Sequence, residues 1–454
     1  MGRAVLQRLA LLLLLAASLI AGASSRSGLT DTKLAARIDG DPIPLAGLRA
    51  LHAASAYRDM RTPLNKVLAS VIDNRLLGDY ARKHYDEATL FPNTGVAYSR
   101  EVAEEDQLIA TLRRSYKQPL DAALAKAGGL DKLVTRRDAP SRDALELVFP
   151  PATGLQLTAE LAPSQLAAAR DIALLRYRFP GGDTGQISLA DVWQRQNIQG
   201  KTMLAGGDAS FMAQQAMQLL AGRYVLSWAR HDSGLTESDL QLLRQAMADR
   251  DRRGALLQVL GVEADMHYAS ANIQRLAAAV TADEIRDYYQ QNPSEFRQLK
   301  QARAQHIRCA DEAACRNAYA RLQAGEPFAE VARSTSTAED AAQGGELGWL
   351  QPQDGHAPWL YELAFALPLG KPSRPVREPD TSGATAGWQI VLVNERQEGL
   401  QPLDSEAVRY TASQTLARRK AVAEFKALRE QLYREADIEL NASVLGVHSV
   451  DKLE

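Results

Sequence analysis

Two cysteines and a nearby histidine are the first residues in this sequence whose types and spacing suggest chemistry. Cys309 and Cys315 are separated by five residues, and His306 lies three positions before the first of them. Cysteines this close pair readily in an oxidising compartment, whereas in a reducing compartment they remain two free thiols. A metal site would need more ligands than these three. The segment therefore predicts either a disulfide or two thiols, and it predicts no metal site.

Other catalytic signatures are missing from the sequence. It contains no H-E-x-x-H, no phosphate-binding loop, no G-x-S-x-G and no C-x-x-C. The 53 basic residues are balanced by 55 acidic ones, so the net charge is −2 and no basic surplus points to nucleic acid. We therefore expect no cofactor and no nucleic-acid partner, and we disfavour hydrolase, nucleotide-binding and metal chemistry.

The N-terminal residues 1–23 have the layout of a secretory signal peptide. Arg3 and Arg8 supply positive charge, an apolar run follows at 9–20, and Ala21-Gly22-Ala23 matches a cleavage site. The alternative is an uncleaved anchor, but the apolar run is shorter than the ~20 residues that a spanning helix needs. We therefore expect a periplasmic or otherwise exported protein that is soluble after cleavage, with no stable membrane insertion.

Most of the remaining chain has helical patterning. A length of 454 residues exceeds what one hydrophobic core accommodates, so several domains are expected. We predict an N-terminal helical domain at 33–130 and a second helical unit at 140–290. The second unit weakly repeats the first, although chance similarity between Ala- and Leu-rich helices would produce the same pattern. The repeat rests on two similarities: Ile43, Leu45 and Leu48 recur as Ile187, Leu189 and Val192, and residues 75–82 resemble residues 223–230.

Two helix starts are marked by capping sequences. Thr236 is followed three residues later by Asp239, and Thr281 is followed by Glu284. In such a pair the hydroxyl and the carboxylate satisfy free N–H groups of the first helical turn. Both positions are therefore predicted to begin helices.

Residues 298–397 change character, because short β-like runs alternate there with helices. Ala304 to Arg308 and Trp388 to Val393 are predicted strands, so this segment is expected to be a compact domain with both strands and helices. A C-terminal helix is predicted at 405–440, with Phe425 on its apolar stripe. Such a stripe needs packing partners. We expect it to return to the helical body, which makes the 298–397 domain an insertion.

An ordered series of motifs within 298–397 resembles the parvulin-type peptidyl-prolyl cis-trans isomerases. The motifs are G-E-P-F-A-E-V-A at 325–332, Q-G-G-E-L-G-W at 343–349, F-A-L-P-L-G at 365–370 and G-W-Q-I-V at 387–391. The flanking segments at 39–43, 281–296 and 434–440 resemble the SurA/PpiD class of parvulin-bearing folding factors. The resemblance implies a multi-domain, mainly α-helical chaperone-like body with an inserted α+β domain built on a four-stranded antiparallel sheet.

The resemblance also implies three catalytic positions. Parvulin pockets are lined by two histidines, an Asp or Cys, and Met and Phe side chains. His306 matches the first histidine, whereas Gln389 stands at the second histidine position. Thr337 stands at the Asp or Cys position when residues are counted back from Gly344 without gaps. Thr337 and Gln389 therefore depart from the family pattern, since neither can carry the usual charge.

The same comparison assigns the substrate-binding and turn residues. His356 falls at the Met position, Leu360 at a Phe position, and Phe365 matches the later Phe. The structural turn is assigned to three glycines, which tolerate positive φ: Gly344, Gly345 and Gly348.

Two functions follow from the resemblance. The first is a parvulin-type peptidyl-prolyl isomerase and chaperone for unfolded exported or outer-membrane proteins. The alternative is a non-catalytic, parvulin-like peptide-binding chaperone whose isomerase pocket is degenerate. In both cases the expected partners are unfolded or proline-containing polypeptides.

Overall fold

The computed structural model describes residues 25–26, 28–56, 61–92, 100–150, 160–263, 270–351, 358–379 and 387–453. The predicted signal peptide and His356 lie outside these residues. The chain divides into two compact units, and the second, Arg275–Ala417, is inserted between two parts of the first. This confirms the predicted architecture of a helical body with an inserted domain. Within the described ranges, no helix combines the length and the apolar character needed to cross a membrane.

The first unit is mainly helical. Its helices are α1 (Leu45–Ala56), α2 (Leu64–His84), α3 (Glu87–Leu90), α4 (Arg100–Ser115), α5 (Lys117–Lys126), α6 (Arg142–Val148), α7 (Pro163–Asp171), α8 (Leu189–Trp193), α9 (Ile198–Ala205), α10 (Ala209–His231) and α11 (Glu237–Val259), with α12 (Ala271–Ala278) at its boundary. After the inserted unit come the end of α17 (Glu406–Glu435) and α18 (Ala442–Leu445). The predicted capping pair Thr236 and Asp239 begins α11.

Two small sheets accompany these helices. The first has the order β1-β11-β2-β3, and its strands are β1 (Ser25–Arg26), β11 (Ile438–Leu440), β2 (Leu34–Ile38) and β3 (Asp41–Pro44). The second has the order β4-β5-β6, with β4 (Val134–Arg137), β5 (Ala173–Arg178) and β6 (Thr184–Ser188). Strand β11 pairs antiparallel with β2, which places the C-terminal segment beside the first hairpin.

Each hairpin leads directly into a helix. Strand β3 is followed by α1, and β6 is followed by α8. The six apolar residues of the predicted repeat are buried at these two junctions: Ile43, Leu45, Leu48, Ile187, Leu189 and Val192. The repeat and the limits of the two helical units remain predictions.

The C-terminal helix α17 packs within the first unit through its later turns. Phe425 is buried in a cluster with Leu77 and Leu256. Polar contacts support this packing, because Asp73 on α2 accepts hydrogen bonds from Arg429 Nε at 2.5 Å and Arg253 Nε at 3.2 Å.

A buried ion pair joins α2 to α11. Asp249 is 1% exposed and accepts hydrogen bonds from Arg75 Nε at 2.8 Å and Arg82 Nη2 at 3.1 Å. Gly78 lets the helices approach closely, since a Cβ there would lie 3.1 Å from the Asp249 Cα. Burial raises the pKa of the Asp249 carboxyl to about 6, because lost hydration outweighs the attraction of the two arginines.

The second unit contains a four-stranded antiparallel sheet, as predicted. Its elements are α13 (Ala282–Gln291), β7 (Arg297–Cys309), α14 (Glu312–Gln323), α15 (Phe328–Thr335), β8 (Glu346–Leu350), α16 (Pro358–Ala366), β9 (Val376–Arg377), β10 (Trp388–Leu400) and the start of α17. The strand order is β8-β7-β10-β9, and every adjacent pair is antiparallel. Helix α13 begins at the predicted capping pair Thr281 and Glu284.

The two faces of this sheet have separate apolar layers. Ile307, Cys309 and Ile390 pack against Phe328 and Val331, which belong to α15. The opposite layer contains Ala302, Ala304, Val391, Val393, Leu360 and Ala364. The central pair of strands therefore carries a core on each side.

A glycine turn enters β8 and touches β7. Gly344 and Gly345 have φ of 83° and 73°, and Gly348 has φ of 71°. A Cβ on Gly345 would lie 2.0 Å from the His306 carbonyl oxygen. Gly345 is therefore required both for its backbone conformation and for its closeness to β7.

Replacing Gly345 by alanine should unfold or strongly destabilise the sheet unit. The matched control is Gly325→Ala, because Gly325 has φ of 91° but nothing within 4 Å of its Cβ position. We expect about 1 kcal/mol of destabilisation for the control, from backbone strain alone, and at least about 3 kcal/mol for Gly345→Ala. Hydrogen exchange of β7 amides measures the destabilisation in both variants. Equal losses of stability would contradict the steric clash that we assign to a Cβ at Gly345.

Lowering the pH should stabilise the helical unit through Asp249. Its folded-state pKa of about 6 exceeds the ordinary value of 3.8, so the folded state holds the proton more tightly. The ionised form therefore costs up to about 3 kcal/mol at pH 7, and this cost is relieved as the pH falls through 6 towards 4. Asp249→Asn removes the titration, whereas Asp121→Asn changes an exposed carboxyl and serves as control.

The measurement is the free energy of opening from hydrogen exchange of α2 amides between pH 7 and 4.5. Over that range, wild type and Asp121→Asn should gain stability relative to Asp249→Asn. Parallel pH profiles for all three proteins would show that Asp249 has no such role.

Candidate functional site

His306 lies on β7, at the centre of the sheet. Its backbone N–H donates to the Gly345 carbonyl at 2.7 Å, and the residue is 8% exposed. Its cross-strand partner is Val391 on β10. Because side chains alternate along a strand, His306 shares a face with Ala304, on the side covered by α16.

The His306 ring lies between two oxygen-bearing side chains. Nδ1 is 2.8 Å from Gln389 Oε1. Nε2 is 3.0 Å from Asp340 Oδ2 and 3.1 Å from Asp340 Oδ1. The structure therefore brings the predicted residues His306 and Gln389 together, and it adds a carboxylate on the far side of the ring.

Gln389 connects the ring to a second carboxylate. Its Nε2 donates to Glu378 Oε1 at 2.5 Å, and Glu378 also accepts from Arg308 at 2.9 and 3.1 Å and from the Gly387 N–H at 3.2 Å. Burial alone would raise the pKa of Glu378, but these hydrogen bonds and the Arg308 charge lower it below its ordinary value. A continuous network thus runs from Asp340 through His306, Gln389 and Glu378 to Arg308.

Thr337 occupies a different place. Its backbone N–H and its hydroxyl both donate to the Arg308 carbonyl, at 2.7 and 3.2 Å, and its side chain is exposed. The carboxylate that contacts the histidine comes instead from Asp340, three residues later. Counting from Gly344 without gaps missed Asp340, although a shift within Thr337-Ala338-Glu339-Asp340 would have found it. Glu378 left no comparable signal in the sequence.

The predicted apolar residues lie on the same side of the sheet as His306. Leu360 is 5% exposed and belongs to the layer that contains Ala304 and Val391. Phe365 packs against that layer, and its ring lies 4.0 Å from the ring of Tyr361. The site therefore combines a polar network with a neighbouring apolar layer.

The two cysteines are joined in a disulfide, which links the end of β7 to α14. Both are buried, and Asp311 between them caps α14 by accepting from the Ala314 N–H at 2.8 Å. In the described part of the chain, no group of three or more His, Cys, Asp or Glu residues is arranged to hold a metal ion. The chemistry that this arrangement supports is binding and polarisation through hydrogen bonds.

Comparison with known proteins connects this geometry to a family. Residues 280–409 match the family described as the PPIC-type PPIASE domain. The chain is 34% identical over 151 residues to chaperone SurA of Aromatoleum aromaticum, which covers 30% of this chain and 32% of that protein. It is 29% identical over 196 residues to foldase protein PrsA of Caldanaerobacter subterraneus. That alignment covers 41% of this chain and 58% of the PrsA protein. The chain therefore spans about a third to three fifths of these relatives.

Solved structures of similar proteins include peptidylprolyl isomerase PrsA from Bacillus anthracis, with 20% identity and a TM-score of 0.21 over 41% of this chain and 74% of that one. A SurA-like chaperone of Campylobacter jejuni has 19% identity and a TM-score of 0.21. The match covers 45% of this chain and 86% of the Campylobacter chain. The family match spans the sheet, the glycine turn and the His306 network. Residues 280–409 are therefore a PPIC-type parvulin domain, carried by a chain that is similar to SurA chaperones and PrsA foldases.

Proposed function

We propose that this protein is a periplasmic peptidyl-prolyl cis-trans isomerase and a folding chaperone for unfolded exported or outer-membrane proteins. The observation that carries the proposal is the buried His306, hydrogen-bonded on both sides by Gln389 and Asp340, beside an apolar layer. The family match of residues 280–409 and the similarity to proteins named chaperone and foldase support it.

The proposed reaction breaks no covalent bond. Rotation about an X-Pro amide is opposed by a barrier of ~18–20 kcal/mol, because the C–N bond has partial double-bond character. The ground-state amide is more charge-separated than the twisted form, so removal from water favours twisting. A site that binds the twisted form more tightly than the planar form accelerates the rotation.

The apolar layer and the polar network have different roles in this proposal. Phe365 and the layer around Leu360 give the proline ring an apolar surface. The His306 network fixes hydrogen-bonding groups at the edge of that surface, where the charge on the amide carbonyl changes during rotation. A nucleophile, a metal and a cofactor have no part in this reaction.

The helical unit supplies the chaperone function in this proposal. The signal peptide predicted at 1–23 supports the exported location in this proposal, and the proposed substrates are unfolded and proline-containing polypeptides. The near balance of 53 basic and 55 acidic residues disfavours nucleic acid as a partner.

A non-catalytic peptide-binding chaperone is the second candidate. The observation that favours it is the presence of Thr337 and Gln389 where the family pattern has an Asp or Cys and a histidine, with Thr337 bonded to Arg308 instead of His306. This candidate keeps polypeptide binding and loses rate enhancement.

Replacing His306 by alanine should lower isomerase activity. The test is a protease-coupled assay of a short X-Pro peptide with the chain from Ser24 onward. Loss of the ring leaves Gln389 and Asp340 without their shared partner, so we expect kcat/KM to fall at least about tenfold. His84→Ala is the matched control, since His84 is an exposed histidine of the helical unit. An active wild type with an equally active His306→Ala variant would remove His306 from the site.

An aggregation assay separates the two candidate functions. We expect the wild type to suppress aggregation of an unfolded, β-rich client and also to accelerate a proline-limited refolding reaction. The His306→Ala variant should keep the first activity and lose most of the second. Suppression by the wild type without acceleration would favour the non-catalytic candidate, and absence of both activities would contradict the chaperone proposal.

A further inference from the structure

The orientation of the Gln389 amide is fixed by its neighbour Glu378. The lowered pKa of Glu378 means that its carboxylate is ionised at neutral pH and only accepts hydrogen bonds. The atom of Gln389 that lies 2.5 Å from it must therefore be the amide nitrogen. As a result, Gln389 turns its carbonyl oxygen, which only accepts, towards His306 Nδ1.

The other side of the His306 ring also faces acceptors. Both oxygens of Asp340 lie within 3.1 Å of Nε2. When Asp340 is ionised, Nε2 makes a hydrogen bond only if it carries a hydrogen. Since Nδ1 needs a hydrogen for Gln389, both contacts are hydrogen bonds only in the doubly protonated ring.

In a doubly protonated state the positive His306 ring would lie beside the Asp340 carboxylate, and Gln389 would connect it to the Glu378 carboxylate, which contacts the Arg308 guanidinium. Charges along the network would then alternate and compensate the positive ring. Glu346, on the neighbouring strand β8, accepts from Gln305 Nε2 at 3.1 Å and lies 3.9 Å from Arg303. Its contacts therefore belong to a separate pair, which makes it a useful control.

We propose that Asp340 and Glu378 are positioning residues that hold His306 as a hydrogen-bond donor at both ring nitrogens. Asp340 thereby supplies the carboxylate that Thr337 lacks, and Glu378 makes Gln389 a fixed acceptor for Nδ1. The inference rests on the proposed function for its catalytic meaning, because both residues act through His306.

The protonation of the ring is measured directly by nuclear magnetic resonance of the chain from Ser24 onward, labelled with 15N-histidine. The sequence contains seven histidines, and His306→Gln identifies the signals of His306 by their loss. At pH 7.5, where an ordinary histidine is mainly neutral, we expect both His306 nitrogens to be protonated. An unprotonated Nε2 or Nδ1 in the wild type overturns the inference without any variant.

Three variants test the assigned roles. Asp340→Asn can donate to Nε2 through its amide, so His306 should become neutral with its hydrogen on Nδ1. Glu378→Gln no longer dictates the Gln389 orientation, so the Gln389 amide can donate to Nδ1, and His306 should become neutral with its hydrogen on Nε2, facing Asp340. Glu346→Gln should leave the His306 signals unchanged. Wild-type signals in both network variants would overturn the inference.

The isomerase assay separates this inference from the proposed function. We expect kcat/KM to fall about tenfold in Asp340→Asn and Glu378→Gln and to stay unchanged in Glu346→Gln. A doubly protonated His306 in a protein without isomerase activity would contradict the proposed function and support the inference. An active enzyme whose His306 lacks one of the two hydrogens would support the proposed function and contradict the inference.

Discussion

The antiparallel pairing of β7 with β10 is the constraint on which the site depends. It places His306 opposite Val391 and Arg308 opposite Gln389, so the ring and the amide are diagonal neighbours on one face. The same register directs Ile307 and Ile390 to the other face, where they form a core with α15. A slip of one residue would exchange the two faces and move the network into the opposite layer.

The parts of the site that the sequence predicts are those with local backbone requirements. Gly344 and Gly345 leave a signature because both have positive φ and both lack room for a Cβ, which would lie 2.8 Å from the Ala329 Cβ at Gly344 and 2.0 Å from the His306 carbonyl oxygen at Gly345. His306 and Gln389 lie on regular strands, where a fixed spacing from such motifs is reliable. Asp340 and Glu378 belong to connecting segments, whose side-chain directions follow no period. Their contacts depend on the folded arrangement, so gap-free counting from Gly344 missed Asp340, and no motif marked Glu378.

In the helical unit, too, features with a local cause were predictable from the sequence, whereas contacts between distant residues were not. The burial of Phe425 was predictable from the period of its apolar stripe, and the start of α11 from the local pairing of Thr236 with Asp239. The pairing of Arg75 with Asp249 was not, because 174 residues separate them and charged side chains usually lie in solvent. The close approach that buries the pair requires Gly78, whose role appears only when α2 and α11 are seen together.

The buried carboxyls of the two units show what decides their charge. Asp249 is almost fully buried, and two arginines do not compensate its lost hydration, so its pKa rises. The Glu378 side chain keeps 14% exposure and receives hydrogen bonds from Arg308, Gln389 and Gly387, so its pKa falls. Donor number and residual hydration therefore determine whether burial neutralises a carboxyl or fixes its charge. The fixed charge makes Glu378 a permanent acceptor. The incomplete compensation at Asp249 leaves its carboxyl open to protonation in mildly acidic conditions.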